Sequence, residues 1–338
     1  MGGRYNPDEP TSGDQVFGLP TGPTEAAIVL TPVPFDATAS GRAGAADAPR
    51  AILRASHEID LMDRTFGRVD RHGIFMEAID DRIVLISRRA RELAEAILRG
   101  DRPEAGSIER IDAAGAKVNQ FVFERVCRTL EHGQVPGLIG GDHSVGFGAI
   151  RACADRMGPI GVLQIDAHMD LHRGYAGLAW SHASVMRNVL DRVPGVERVV
   201  QVGLRDVAPG EMDWARDSRG RVHPFFDADW HEARDNGAPL VDLASEAIDL
   251  LPERVYVSFD IDALDPSLCP RTGTPVPGGL GFNDAALLLR QVARSGRQVV
   301  GFDLVEVGPD PWDANVGARI LYKLCGMAAA GRPEPIDP

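Results

Sequence analysis

From Ala26 onward the chain alternates between short apolar runs closed by turn residues and longer segments with helical spacing. The runs at 26–33 (AAIVLTPV), 135–140 (VPGLIG), 160–166 (IGVLQID), 198–204 (RVVQVGL), 254–262 (RVYVSFDID) and 298–307 (QVVGFDLVEV) are close to continuously apolar. That pattern predicts strands buried on both faces. Between them, Ile108, Ile111, Val118, Phe121, Val122, Val126 and Leu130 share one helical face, which predicts an amphipathic helix with Ser107 as its N-cap. Further helices are predicted to start near Asp80, Pro239 and Asn283. Strands alternating with helices imply an α/β protein with a mostly parallel sheet covered on both faces. Ligands of such sheets bind at the carboxyl ends of the strands. No linker, composition break or solenoid-period repeat interrupts the pattern, so one domain is expected over 25–330. A loose N-terminal arm over 1–24, rich in Pro, Gly, Asp and Thr, precedes it, and a short tail over 331–338 follows.

Composition narrows the setting. With 36 basic and 49 acidic side chains among 338 residues, the formal charge is -13. That disfavours a nucleic-acid or anionic-membrane surface, which needs clustered Lys and Arg, and it is compatible with a cationic ligand. No stretch approaches the roughly 18 apolar residues of a membrane span, and the first residues lack the apolar core of a signal peptide. Cys127, Cys153, Cys269 and Cys325 lie far apart. They read as reduced thiols of a cytoplasmic protein, without disulfide or CxxC metal spacing.

The chemistry stands at three strand ends: Gly140-Gly141-Asp142-His143-Ser144, Asp166-Ala167-His168-Met169-Asp170, and Asp260-Ile261-Asp262 followed by Ala263-Leu264-Asp265-Pro266. If the chain stays extended, Asp166, His168 and Asp170 project to one side, as do Asp260 and Asp262. Runs as apolar as VLQI and VYVSF do not lead to surface carboxylates, and buried charges must be paired or bind metal. Four Asp and two His form a hard O/N donor set. It suits Mn²⁺, accepts Ni²⁺, Co²⁺ or Fe²⁺, and is unlike a structural zinc site. Six side chains exceed what one ion with an open position needs, whereas two ions sharing bridging carboxylates balance four Asp. The chemistry that follows is hydrolysis by activated water.

GGDHS, DAHMD and SFDIDALDP, in this order, resemble the motifs of the ureohydrolases, the arginase and agmatinase family, with the likeness running from about Thr31 to Met327. The resemblance implies a three-layer α/β/α arginase-like fold, a binuclear manganese-type centre and homo-oligomers, commonly trimers or hexamers. Carried over residue by residue, it implies that His143 and Asp170 hold one metal and His168 and Asp262 the other, with Asp166 and Asp260 bridging. It also implies that His182 shuttles a proton to the leaving amine and that Glu306 grips the guanidinium, as two carboxylate oxygens meet two N–H groups of a planar fork. The chain departs from the family in having Ala183 where Gly usually follows the shuttle His.

The expected activity is hydrolysis of a guanidino C–N bond to urea or a urea-like product plus an amine, with Asp170 helping to stabilise the tetrahedral intermediate. Other readings are an L-arginine arginase, a one-zinc deacetylase-like branch, a two-metal phosphatase, and a non-catalytic partner subunit of a hetero-oligomer. The full ligand set disfavours the deacetylase-like branch and the partner subunit, and the lack of a basic phosphate clamp disfavours the phosphatase. Within the stretch 203–211 (GLRDVAPGE), Ala208 stands where arginases keep an Asp that holds the substrate's α-amino group. The loop 171–181 (LHRGYAGLAWS) lacks the Asn- and Ser-rich character of arginases, and Tyr175, Leu178 and Trp180 suggest a smaller or more apolar substrate pocket. L-arginine is therefore expected to be a poor substrate. Agmatine, guanidino acids, guanidine and alkylated guanidine or biguanide types are the better candidates. His172 reads equally as a residue of the site entrance or as a solvated loop His, Cys269 is read as an inert half-buried thiol, and His57, His72, His132, His223 and His231 are assigned no role.

Overall fold

Strands without a polar face need cover on both sides, and the computed structural model, which describes residues 14–332, supplies it. The strands are β1 (Ile28–Pro32), β2 (Ile74–Met76), β3 (Val135–Ile139), β4 (Ile160–Ile165), β5 (Val196–Leu204), β6 (Val222–Phe226), β7 (Arg254–Asp260) and β8 (Gln298–Val305). They form one sheet in the order β2-β1-β3-β8-β7-β4-β5-β6, and every neighbouring pair is parallel. The helices are α1 (Ala48–Ser56), α2 (Asp81–Leu98), α3 (Ser107–Glu131), α4 (Gly146–Met157), α5 (Val185–Arg192), α6 (Pro209–Asp217), α7 (Asp227–Asp235), α8 (Leu240–Asp249), α9 (Phe282–Arg294) and α10 (Pro311–Ala329).

The side chains alternate between two apolar layers, as a period of two requires. On one face Val255, Val257 and Phe259 of β7 join Ile52 of α1, Trp230 of α7, Ile248 of α8, Leu289 of α9 and Leu321 of α10. On the other, Tyr256 of β7 and Leu138 of β3 join Ile83 of α2, Val122 of α3, Ile150 of α4, Val189 of α5 and Ala215 of α6. Fully burying a side chain of this size contributes roughly 1.5–3 kcal/mol. A truncation such as Phe259→Ala would cost about 3–5 kcal/mol. The layers are α/β/α, as expected.

The strand order fixes where a ligand can sit. The chain builds β1, β2 and β3 on one side, crosses to β4, moves outward to β5 and β6, then returns to lay β7 and β8 in the centre. The crevice at the carboxyl ends of β3, β8, β7 and β4 is the topological switch point of the sheet.

Three expectations need correction. Val16, Phe17 and Leu19 of the expected loose arm are buried. The Phe17 ring meets Tyr322 edge-on at 4.9 Å, and the Phe17 N–H donates to Ser56 Oγ. Three apolar residues are too few to show a period, yet each finds a slot against α1 and α10. Residues 1–13 of that arm and 333–338 of the tail lie outside the described residues. The N-cap of α3 is Gly106 at φ 79, with Ser107 one position inside the helix. Two strands escaped the apolar pattern, β2 and β6, and both are edges of the sheet.

Candidate metal centre and active site

Three of the strands end in the same local device, an Asp whose carboxylate accepts the N–H two residues on. Asp142 takes Ser144 N–H at 3.1 Å, Asp166 takes His168 N–H at 2.7 Å, and Asp260 takes Asp262 N–H at 2.8 Å. Such Asx turns compete with strand continuation, so the chain turns at once and does not stay extended. β4 stops at Ile165, and residues 261–263 form a 3-10 turn. Asp170 lies at φ 55, in the left-handed region that costs a non-Gly residue strain. The ligand side chains converge because three turns fold over one crevice, and strand alternation is not the cause.

Two groups of potential ligands result: His143, Asp166 and Asp170, and Asp166, His168 and Asp262, the donor atoms of each lying within 4.8 Å of one another. Asp166 belongs to both. His143 Nδ1 lies 3.1 Å from Asp166 Oδ2, 2.9 Å from Asp170 Oδ2 and 3.4 Å from Asp260 Oδ2. His168 Nδ1 lies 3.0 Å from Asp262 Oδ2 and 3.5 Å from Asp166 Oδ1. The expected bridging residue Asp260 thus stands beside the first group, while its Oδ1 anchors the turn that carries Asp262.

His143 Nδ1 tests whether a cation fits. It is buried and makes no hydrogen bond despite three carboxylates at these distances. The other ring nitrogen is engaged: His143 Nε2 pairs with Ser258 Oγ at 2.8 Å, Ser258 donates to Asp303 Oδ1 at 2.9 Å, and Tyr256 donates its hydroxyl to Asp303 Oδ2 at 2.9 Å. This relay runs beneath the sheet end and fixes the ring orientation, as outer partners of metal-ligating His do. A ring nitrogen aimed between carboxylates without donating to one matches a cation's position, and hard O and N donors suit a divalent first-row ion.

In the protein alone the carboxylates oppose one another. Burial, reinforced by Asp166, pushes Asp170 up to about 6. Burial, with Asp262 and Asp166, pushes Asp260 well above the usual carboxylate range. For Asp166 burial acts upward too, but the imidazoles of His143 and His168 beside it win and hold it low. His168 rises to about 12 against the effect of burial because Asp262 and Asp166 flank it. The cluster sets four carboxylates against two imidazoles.

Glu306 follows β8 at φ 61 and is buried. Its Oε1 accepts the N–H of His143 at 2.9 Å and lies 3.5 Å from His182 Nδ1. Its Oε2 makes no hydrogen bond among the described residues and faces Gly273, where a Cβ would come within 3.2 Å. His182 is gripped by the loop 36–44: its N–H donates to Thr38 Oγ1, its Nε2 pairs with Ser40 Oγ at 3.0 Å, and Thr38 donates its hydroxyl to buried Asp142. Burial opposes a charge on His182, yet Glu306 and then Asp142 raise its pKa.

A pocket of about 260 Å³ opens over these groups, lined by His168, Asp170, Asp260 and Asp262 of the cluster and by Ser40, His182, Ala183, Tyr175, His172, Asp206, Val207, Ala208, Glu211 and Thr274. Neither Lys nor Arg lines it. Ala208 lines the pocket as N-cap of α6, with its N–H donated to Glu211 Oε2. His172 is among the lining residues. Trp180 does not reach the pocket: it packs edge-on to Phe147 at 4.9 Å, under the guanidinium of Arg192 and against Gly115. Leu178 likewise turns away, buried with Ala94, Ile97 and Ile111. A bulky apolar side chain in a loop finds the nearest helix groove, and spacing alone gave no direction. Cys269 is fully buried, not half-buried. Thr38, Ser40, Glu211, Ser258 and Asp303 also stand at the site, without a sequence motif that marks them. The GGDHS and strand motifs are local, whereas these residues reach the site from distant elements.

Comparison with known proteins agrees with this geometry. The model of the arginase family matches residues 26–327. The chain belongs to the arginase family. An N(1)-aminopropylagmatine ureohydrolase of Thermus thermophilus is 33% identical over 316 residues, covering 92% of this chain and 94% of that protein. A guanidinobutyrase of Pseudomonas aeruginosa is 34% identical over 213 residues, 61% of this chain and 64% of that protein. The crystal structure of an agmatine ureohydrolase of Thermoplasma volcanium superposes with a TM-score of 0.73 at 27% identity, covering 94% of this chain and 95% of that one. The protein is an agmatinase-like ureohydrolase, an enzyme that hydrolyses guanidino C–N bonds.

Proposed function

We propose that the enzyme hydrolyses a small guanidino compound whose far end is cationic or neutral, such as agmatine, a longer aminoalkyl guanidine or guanidine itself, and releases urea and an amine. The observation that carries this reading is the pocket lining. Ala208 offers no acceptor for an α-ammonium group, and no Lys or Arg is present for a carboxylate, while Asp206 and Glu211 contribute negative charge. An amino-acid head or a guanidino acid would leave buried charge unpaired, at roughly 1–3 kcal/mol or more per lost contact. The name of the Thermus relative, an N(1)-aminopropylagmatine ureohydrolase, supports a cationic tail.

His143, Asp166 and Asp170 would hold one divalent ion and Asp166, His168 and Asp262 the other, with Asp260 beside both; Mn²⁺ is the first candidate, followed by Ni²⁺ or Co²⁺. Such ions, when bound, supply Lewis acidity that makes a water nucleophilic at neutral pH. The chain does the rest. Glu306 Oε2 accepts guanidinium N–H groups, Asp170 borders the position of the tetrahedral carbon, and His182 carries the proton that the departing amine needs. A homo-oligomer, trimer or hexamer, and a cytoplasmic setting complete the proposal.

The test combines metal analysis of protein purified without added metal with urea release from agmatine, 4-guanidinobutyrate, guanidine and L-arginine at equal concentration. Agmatine or guanidine should lead. Fastest turnover of guanidinobutyrate or L-arginine would refute the reading of the pocket and leave the hydrolase class intact.

A further inference from the structure

We propose that Ser40 is a relay residue, passing the proton of His182 Nε2 to the leaving amine. The contact is direct: Ser40 Oγ lies 3.0 Å from His182 Nε2 and lines the pocket. A hydroxyl has one proton to give and two lone pairs to receive with. If Nε2–H donates to Oγ, the Ser40 proton remains, and Ser40 makes no other side-chain hydrogen bond among the described residues. Because Ser40 lines the pocket, that proton can turn into it. With Glu306 Oε1 3.5 Å from Nδ1 and Ser40 Oγ 3.0 Å from Nε2, each ring nitrogen of His182 has an oxygen that can accept its hydrogen, one a carboxylate and one a hydroxyl.

The loop that presents Ser40 is fastened on every side. Asp36 Oδ2 closes it by accepting Gly44 N–H at 2.8 Å, and Arg91 donates to the Ala39 carbonyl at 2.6 Å. Thr38 bonds Asp142 through both its N–H and its hydroxyl. Gly41 packs so closely on the Gly273 carbonyl that a Cβ could not be placed there, and Arg42 N–H donates to the same carbonyl at 3.1 Å. A hydroxyl on so constrained a turn keeps its position without an induced change, as proton transfer over hydrogen-bond distance requires.

The step balances. Water adds to the guanidino carbon, and the bond from that carbon to the amine nitrogen breaks with its electron pair going to nitrogen. That nitrogen takes the proton of Ser40 Oγ, Oγ is refilled from His182 Nε2, and the imidazole recovers its proton from the added water. Without the relay the amine would leave as an anion, so the demand rises with the basicity of the amine.

This inference rests on guanidino hydrolysis, and the experiment separates the two. Turnover by wild type, Ser40→Ala, Ser40→Thr, His182→Ala and the double variant Ser40→Ala/His182→Ala is measured on agmatine, whose leaving amine is strongly basic, and on phenylguanidine, whose leaving aniline is not. Ser40→Ala should lose about tenfold or more in kcat on agmatine and less than about threefold on phenylguanidine, with metal content unchanged. Ser40→Thr should restore the rate, and the double variant should be no slower than His182→Ala alone, the signature of two groups acting in one chain. Equal losses on both substrates, additive losses in the double variant, or loss of metal from Ser40→Ala would overturn the relay. If the wild type hydrolyses no guanidino compound, the proposed function fails. The contact is then read from the imidazole ¹⁵N shifts of His182, which should move at Nε2 in Ser40→Ala, and unchanged shifts would discard it.

Discussion

The backbone N–H of His143 donates to Glu306 Oε1 at 2.9 Å, and the same oxygen lies 3.5 Å from His182 Nδ1. One carboxylate oxygen thus ties His143 of the candidate metal centre, from the end of β3, to His182, from the turn before α5. Glu306 reaches this place only with its backbone at φ 61, strain that persists where surrounding contacts over-determine a residue. Thr272 contributes by donating its hydroxyl to the Glu306 carbonyl at 2.8 Å.

Glu306→Gln tests this junction. An amide oxygen can still accept the His143 N–H, so the fold and metal content should stay near wild type. The lost charge removes both the partner for a guanidinium and the support for a protonated His182, so turnover should fall by about a hundredfold or more. Steady-state kinetics beside metal analysis checks it; wild-type turnover would disprove both roles.

Asp166 belongs to both ligand groups and Asp262 to one. Asp166→Asn should therefore empty both positions, whereas Asp262→Asn should leave about one ion per chain, with urea release abolished in both. Ser258→Ala, which frees His143 Nε2, should weaken metal affinity by about 10–100-fold. Metal-to-protein ratios after gel filtration decide; equal stoichiometry in Asp166→Asn and Asp262→Asn would contradict the shared carboxylate.

Ala208 caps α6 at the pocket wall. Ala208→Asp places an acceptor where an α-ammonium group would lie, and it should raise kcat/KM for L-arginine relative to agmatine by about tenfold. Asp is also a better N-cap than Ala, so a gain in melting temperature should accompany the change. An unchanged arginine-to-agmatine ratio would mean that the head group lies elsewhere.

Asp313, in the first turn of α10, is buried, accepts Arg271 N–H with Oδ2 and leaves Oδ1 without a partner. Burial raises its pKa from the ordinary 3.8 to about 6. A raised acid disfavours folding only when ionised. The cost is absent below about pH 3.8, grows between 3.8 and 6, and is complete above 6. Asp313→Asn should therefore change the melting temperature more favourably at pH 7.5 than at pH 4, by about 2–5 °C. The same change at both pH values would show that Asp313 does not ionise in that window.

The six inner strands were legible because burial on both faces leaves only apolar residues. β2 spans three residues, and β6 contains His223 and Pro224 with only Val222 buried, so neither presents that signature. The residues of the cluster were legible too: Asp-x-His and Asp-x-Asp at the close of apolar runs have few other uses. Ligand geometry was not, because the spacing suggested extended chain and the Asx turns bend it. The support of His143 was hidden altogether. Asp303, Ser258 and Tyr256 sit inside strands, and only the β7–β8 register, Ser258 opposite Asp303, brings them together. Trp180 shows the reverse error, a conspicuous residue near a motif whose side chain serves packing.

The late return of the chain to the middle of the sheet has a consequence for biosynthesis. β7 and β8 occupy central places between β3 and β4 although they are the last strands made. His143, Asp166, His168 and Asp170 emerge from the ribosome long before Asp260, Asp262 and Glu306, and until then their crevice has no opposite wall. The first half exposes two sheet fragments with an open seam, a hazard for aggregation during synthesis. Ion capture at the full site then marks the closing of that seam, so metal uptake by stalled nascent chains would time the moment at which the enzyme becomes whole.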